Sequence, residues 1–246
     1  MRKAVFLLHG FATDNTDFAN LIPYLTEKYD YIQNENLPGH TNKHGLKGFT
    51  MPATLGYVTR IIEELINNYD EVDIIGFSMG GALAAYLASN YKIHKLVLLA
   101  PADIYINAKY PLVRIKKYFE YLITKHNKNK NGIDRILSME DYNSVLLEEA
   151  DAVKITKKYI LPNYNLRTIK EFMSTIKFCK ENTGEIKNET LIIMGDLDQL
   201  VSEKSGEFIK DRCNNAKIVT FENVSHMMLR SRRYRAIIKE IMSFLF

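Results

Sequence analysis

Three groups that can cooperate in acyl transfer stand in this chain, each just behind an apolar run: Ser78 in Gly76-Phe77-Ser78-Met79-Gly80-Gly81, Asp198 in Gly195-Asp196-Leu197-Asp198, and His226 in Asn223-Val224-Ser225-His226. A serine hydroxyl is a weak nucleophile at neutral pH and needs a base beside it. An imidazole can take the hydroxyl proton and later give it to a leaving group. A carboxylate fixes the imidazole tautomer and stabilises the imidazolium without being protonated itself. The order Ser78, Asp198, His226 along the chain is the one expected when the serine occupies a strand-to-helix elbow.

Such an elbow is what the flanking residues predict. Val72, Ile74 and Ile75 read as a strand, Ala82 to Ser89 as a small-residue helix, and the glycines two before and two after Ser78 leave room where the backbones cross. The turn sets the N–H of Met79 at a helix start, where unpaired donors and the positive dipole end favour an oxyanion. A serine between glycines is also ordinary turn chemistry, so the motif needs its partners at other strand ends. A second oxyanion donor is expected from the loop His9-Gly10-Phe11, as the backbone N–H of Phe11. Asp196 is a rival acid for Asp198, and His9 is expected to organise its loop by hydrogen bonds. His40 and His44 have a metal-like interval, but Pro38, Gly39 and Gly45 keep them off a helix. No metal and no cofactor is expected.

The elements that must carry these groups follow from apolar periodicity. Continuous apolar runs at Val5–Leu8, Val72–Phe77, Leu96–Ala100 and Thr190–Gly195, with weaker ones near Tyr29–Asn34 and Lys217–Phe221, read as about six strands. Helical spacing follows Asp14 or Thr16 (Phe18, Leu21, Ile22, Leu25), recurs from Leu55 to Ile66, and returns near Glu203–Arg212 and Arg233–Leu245. Right-handed crossovers then give an α/β fold, a mainly parallel sheet flanked by helices. Ligands bind beyond the carboxyl ends of such strands, and each candidate follows a strand. Between about Ala102 and Lys187 no strand-like run appears, only helical faces such as Leu112-Ile115-Phe119 and Leu166-Ile169-Phe172-Met173-Ile176. Residues 1–101 and 188–246 therefore read as the core and 102–187 as an inserted helical cap.

Of the 246 residues, 33 are basic and 29 acidic, a net charge of +4 that leaves no nucleic-acid footprint. No stretch approaches the ~20 apolar residues of a membrane span. The run Val5–Leu8 is too short for a signal-peptide core, and Cys179 and Cys213 lack metal or disulfide-scaffold spacing. A cytoplasmic protein is expected. Arg230, Arg232, Arg233 and Arg235 read as a solvated face and not as a lipid-headgroup site, so no stable membrane insertion is expected. Tyr105, Tyr110, Phe119, Tyr121, Phe172 and Phe178 could line an acyl pocket or simply fill the core.

Leu8-His9-Gly10-Phe11, Leu37-Pro38-Gly39-His40, Gly76 to Gly81, Gly195-x-x-Asp198-x-x-Val201 and Ser225-His226 together resemble the α/β-hydrolase superfamily. More narrowly, the chain is similar to compact intracellular carboxylesterases related to monoacylglycerol lipases. One departure is Thr41, where such proteins often carry another glycine. The resemblance implies the cap, the triad Ser78, Asp198 and His226, and hydrolysis of a small-molecule ester through an acyl-enzyme. A thioesterase or peptidase of the same fold, or a receptor that keeps the fold without catalysis, stays open.

Overall fold

The computed structural model describes residues 1–40, 46, 48–103 and 166–246. Strands β1 (Lys3–Leu8), β2 (Tyr31–Gln33), β3 (Glu71–Phe77), β4 (Lys95–Leu99), β5 (Ile186–Gly195) and β6 (Cys213–Phe221) form one sheet in the order β2-β1-β3-β4-β5-β6. Every neighbouring pair is parallel. Ala4 to Leu8, Ile74, Ile75, Leu96 to Leu99 and Leu191 to Met194 are all buried, which is why these strands read as unbroken apolar runs. Registers of Leu8 with Gly76, Phe77 with Leu99, and Leu99 with Ile193 bring the carboxyl ends of the central strands to one rim.

Helices α1 (Ile22–Leu25), α2 (Met51–Asn68), α3 (Met79–Asn90), α4 (Leu166–Asn182), α5 (Glu203–Lys210) and α6 (Tyr234–Leu245) cover the sheet. Thr50 caps α2 by accepting the Ala53 N–H, and Pro52 sits in the first turn, where its missing N–H costs nothing. In α3 the alanines and glycines from Gly80 to Ala88 are buried, because small side chains let this helix lie close against the strands.

Several elements differ from the sequence reading. The helix expected after Asp14 is split into a single 3-10 turn, Asn15–Phe18, and the short α1, because Pro23 cannot continue a helix through its own interior. β5 and β6 begin earlier than their apolar stretches. Glu189 pairs with Asn215, and the polar Lys187, Asn188 and Asn214 fall at a register shift between Ile186–Cys213 and that pair, between an inner strand and the sheet edge. α4 packs Phe172, Ile176 and Cys179 into the same core as the sheet and lies against α2 and α3. β5 starts at Ile186, ahead of the expected boundary at 188. The rest of the expected cap, 104–165, lies outside the described residues.

Candidate active site

Ser78 ends β3 and precedes α3 with φ 54° and ψ −118°, in the left-handed region that an L-residue occupies only at a cost of about 1–3 kcal/mol. The turn is held on several sides. The Ser78 N–H donates to Leu99 O at 2.9 Å, and Ser78 O accepts from Gly81, Ala82 and Ala102. A Cβ on Gly76 would lie 2.3 Å from Gly80 O, and one on Gly80 would lie 1.9 Å from Leu8 O. The two glycines are thus required by close backbone approach.

His226 Nε2 lies 3.0 Å from Ser78 Oγ, and His226 Nδ1 lies 2.7 Å from Asp198 Oδ2. All three side chains are buried. The other carboxylate oxygen, Asp198 Oδ1, accepts the N–H groups of Leu200 and Val201, both at 2.8 Å, so the carboxylate is fixed in rotation. Hydroxyl, imidazole and carboxylate stand in series. Phe77 packs between the rear of the histidine and the first loop. Its ring centroid is 5.0 Å from that of His226, and its edge limits Gly10, where a Cβ would come within 3.1 Å.

The structure brings Asp198, not its rival Asp196, against the imidazole. Asp196 instead receives the Val224 N–H at 3.4 Å, bracing the segment that leads into His226. Gly195 permits that approach, since a Cβ there would lie 2.3 Å from Val224 O.

Met79 is the first residue of α3, so its N–H has no acceptor within the helix. The Phe11 N–H belongs to the peptide whose carbonyl is Gly10 O. His9 Nδ1 is 2.8 Å from that carbonyl, while His9 Nε2 accepts the Leu37 N–H at 2.8 Å. A planar trans peptide points its C=O and N–H in opposite directions, so anchoring Gly10 O also aims the Phe11 N–H. This pairing fixes the neutral His9 tautomer, with the proton on Nδ1. Burial lowers its pKa from 6.5 to about 4. His40 is likewise lowered to about 3, first by burial and then by His9 beside it. His44 and Thr41 lie outside the described residues, and no cluster of metal-ligating side chains occurs among those described.

The Phe11 ring stacks on Phe172 of α4 at 4.3 Å and tilts against Phe49 at 5.4 Å. Phe172 is therefore a buried core residue that also backs the expected oxyanion loop, whereas Phe178 packs against Tyr86. The other expected pocket aromatics lie outside the described residues. Arg230, read as part of a solvated face, instead donates to buried Asp17 at 2.9 Å. Asp17 itself was missed. Its sequence signal is an acid four residues beyond Thr13 in the loop that follows His9-Gly10.

Residues 3–230 match the family model described as alpha/beta hydrolase fold. The chain belongs to this family. It is 23% identical over 248 residues to monoacylglycerol lipase ABHD6 of Mus musculus, covering 94% of this chain and 72% of that protein. It is 24% identical over 240 residues to the pimeloyl-[acyl-carrier protein] methyl ester esterase of Neisseria meningitidis, covering 91% and 86%. Among solved structures it resembles a Paleococcus ferrophilus monoacylglycerol lipase, with TM-score 0.65, 20% identity and 98% and 94% coverage. These relatives are hydrolases, and family and relatives together support hydrolysis of an ester. Among the described residues no helix is long and apolar enough to cross a membrane.

Proposed function

We propose that the protein is a serine carboxylesterase acting on esters of short to medium acyl chains, monoacylglycerols among them. The observation that carries this reading is the unbroken series Ser78 Oγ, His226, Asp198, with separations of 3.0 and 2.7 Å. As Ser78 Oγ attacks the ester carbonyl carbon, its proton passes to His226 Nε2. The carbonyl π electrons move onto oxygen, where the N–H groups of Phe11 and Met79 receive the negative charge. Collapse of this intermediate breaks the bond to the alcohol oxygen, which leaves with the proton from Nε2. Water, deprotonated by the same nitrogen, then cleaves the acyl-serine and releases the acid.

Asp198 contributes by holding Nδ1–H, so that Nε2 faces the serine with its lone pair. No cofactor enters these steps. The names of the relatives, a monoacylglycerol lipase and a methyl ester esterase, favour ester substrates over amides. The free thiols of Cys179 and Cys213 suit a reducing, cytoplasmic setting.

The test is a set of matched ester, thioester and amide substrates and a monoacylglycerol series of increasing chain length, run with a fluorophosphonate label. Ester turnover and labelling that both vanish in Ser78→Ala are expected. Labelling elsewhere in the chain, or turnover that survives the substitution, would reject the mechanism. Faster thioester than ester cleavage would reassign the substrate class.

A further inference from the structure

Two loops must agree for this chemistry to work: the one after β1, which aims the Phe11 N–H, and the one after β6, which carries His226. They belong to opposite ends of the chain and meet at Asp17. Its buried carboxylate receives the Gly10 N–H at 3.3 Å and the Thr13 hydroxyl at 2.5 Å through Oδ2, and the Arg230 Nη2 at 2.9 Å through Oδ1. Arg230 closes the 3-10 turn Met228–Arg230, whose first N–H donates to His226 O at 2.8 Å. The same guanidinium nitrogen donates to Thr16 Oγ1 at 3.1 Å. One carboxylate thus holds the His9–Gly10 peptide, one link before the peptide that bears the Phe11 N–H, on one side and the His226 turn on the other.

We propose that Asp17 and Arg230 are positioning residues, a clamp that keeps the oxyanion donor of Phe11 and the imidazole of His226 in register on the same tetrahedral carbon. This rests on the esterase reading above. Neither residue touches the reacting atoms; both act through Gly10 and the His226 turn. A charged pair suits the task, because the buried carboxylate has three donors arranged around it, and those from Thr13 and Arg230 are short, charge-assisted bonds. The clamp also borders a shallow surface dent lined by Asp17, Phe77 and Met227 to Arg230.

The experiment compares wild type with Arg230→Met, Arg230→Lys, Asp17→Asn and the double variant Asp17→Asn/Arg230→Met. Hydrolysis of p-nitrophenyl butyrate is measured per fluorophosphonate-titrated site, with melting temperatures alongside. Arg230→Met retains the side-chain stem, and the Asn20 amide still donates to Leu229 O at 2.9 Å, which keeps the loops docked and the variant folded. Expected is a kcat lower by roughly ten- to a hundredfold, the scale of a misplacement near 1 Å, with KM near the wild-type value. Arg230→Lys should recover part of the loss, and the double variant should be no slower than the slower single one.

Unchanged kcat per titrated site in Arg230→Met, even with a lower melting temperature, would overturn the clamp. So would a double variant in which the two losses multiply. Should wild type neither cleave the ester nor label at Ser78, the esterase reading fails. The clamp is then judged by the His226 ring resonances in NMR, whose displacement in Arg230→Met supports it and whose constancy overturns it.

Discussion

The sheet carries an imidazole–carboxylate pair near each rim, and they are not alike. At the carboxyl ends of the strands, His226 stands between Ser78 and Asp198. Near the amino ends, His94 Nδ1 lies 3.0 Å from Asp73 Oδ1, and the hydroxyl of Tyr29 donates at 2.5 Å to Asp73 Oδ2. The first series runs hydroxyl, imidazole, carboxylate; the second runs imidazole, carboxylate, hydroxyl. In the second the hydroxyl spends its proton on the acid, so no oxygen is activated. Burial and the neighbouring Asp73 charge also push the Tyr29 phenol well above its ordinary pKa, away from nucleophilic ionisation. Asp73 accepts the Lys95 N–H at 2.7 Å as well, tying β3 to the start of β4. The same pair of residue types faces a hydroxyl across the imidazole only where a strained turn and a helix start deliver that hydroxyl to the far side of the ring.

The contrast breaks most sharply under truncation. Ser78→Ala should cost about a million-fold in turnover, the scale of losing a triad nucleophile. His94→Ala should leave ester turnover at the wild-type level, and an esterase assay on both variants decides. Next in size is the acid. Asp198→Asn should lower kcat about 10⁴-fold by supporting the wrong tautomer. Asp196→Asn, which leaves the imidazole partner in place, should lose far less. If Asp196→Asn proved the more damaging of the two, the acid would be misassigned.

How much of this could be read beforehand depends on whether a residue's meaning is local. Ser78 and Gly76 were legible because their side of the elbow is a contact between near neighbours in sequence, and Gly80 because a second glycine marks where another backbone, here that of Leu8, crosses. Asp198 and His226 were legible because parallel strands deliver their carboxyl ends to one rim. Asp17 was not, since a lone acid near Asp14 reads as a helix-start residue until Arg230, more than two hundred positions away, is set against it. The packing partners of α4 were hidden for a related reason: helical periodicity reports that one face is buried, not which neighbour buries it. The early starts of β5 and β6 were hidden because polar residues near a sheet edge pair as well as apolar ones but leave no apolar run.

Stability, in contrast to turnover, should depend on the amino-end cluster. Asp73→Ala leaves the Tyr29 hydroxyl and the Lys95 N–H without their acceptor, at about 2 kcal/mol each, roughly 4 kcal/mol in all. For a chain of this length that lowers the melting temperature by about 10 °C, while kcat per titrated site stays unchanged. A melting temperature equal to wild type would show that water replaces the carboxylate at no cost.

The smallest effect separates the rims by their response to acid. His9 is harder to protonate folded than unfolded, its pKa dropping from 6.5 to about 4 through burial, and His40 shifts in the same direction to about 3. Such groups favour the native state fully above the unfolded pKa. As the pH falls below 6.5 the unfolded chain binds the proton first, and stability drains until the folded pKa is passed. For His9 the loss between pH 6.5 and about 4.5 is on the order of 2 kcal/mol. Melting temperature followed across that interval should fall less steeply in His9→Asn than in wild type, because the titrating group is gone while a side chain able to meet Gly10 O remains. Parallel slopes in the two proteins would mean that His9 is not the source of this acid sensitivity.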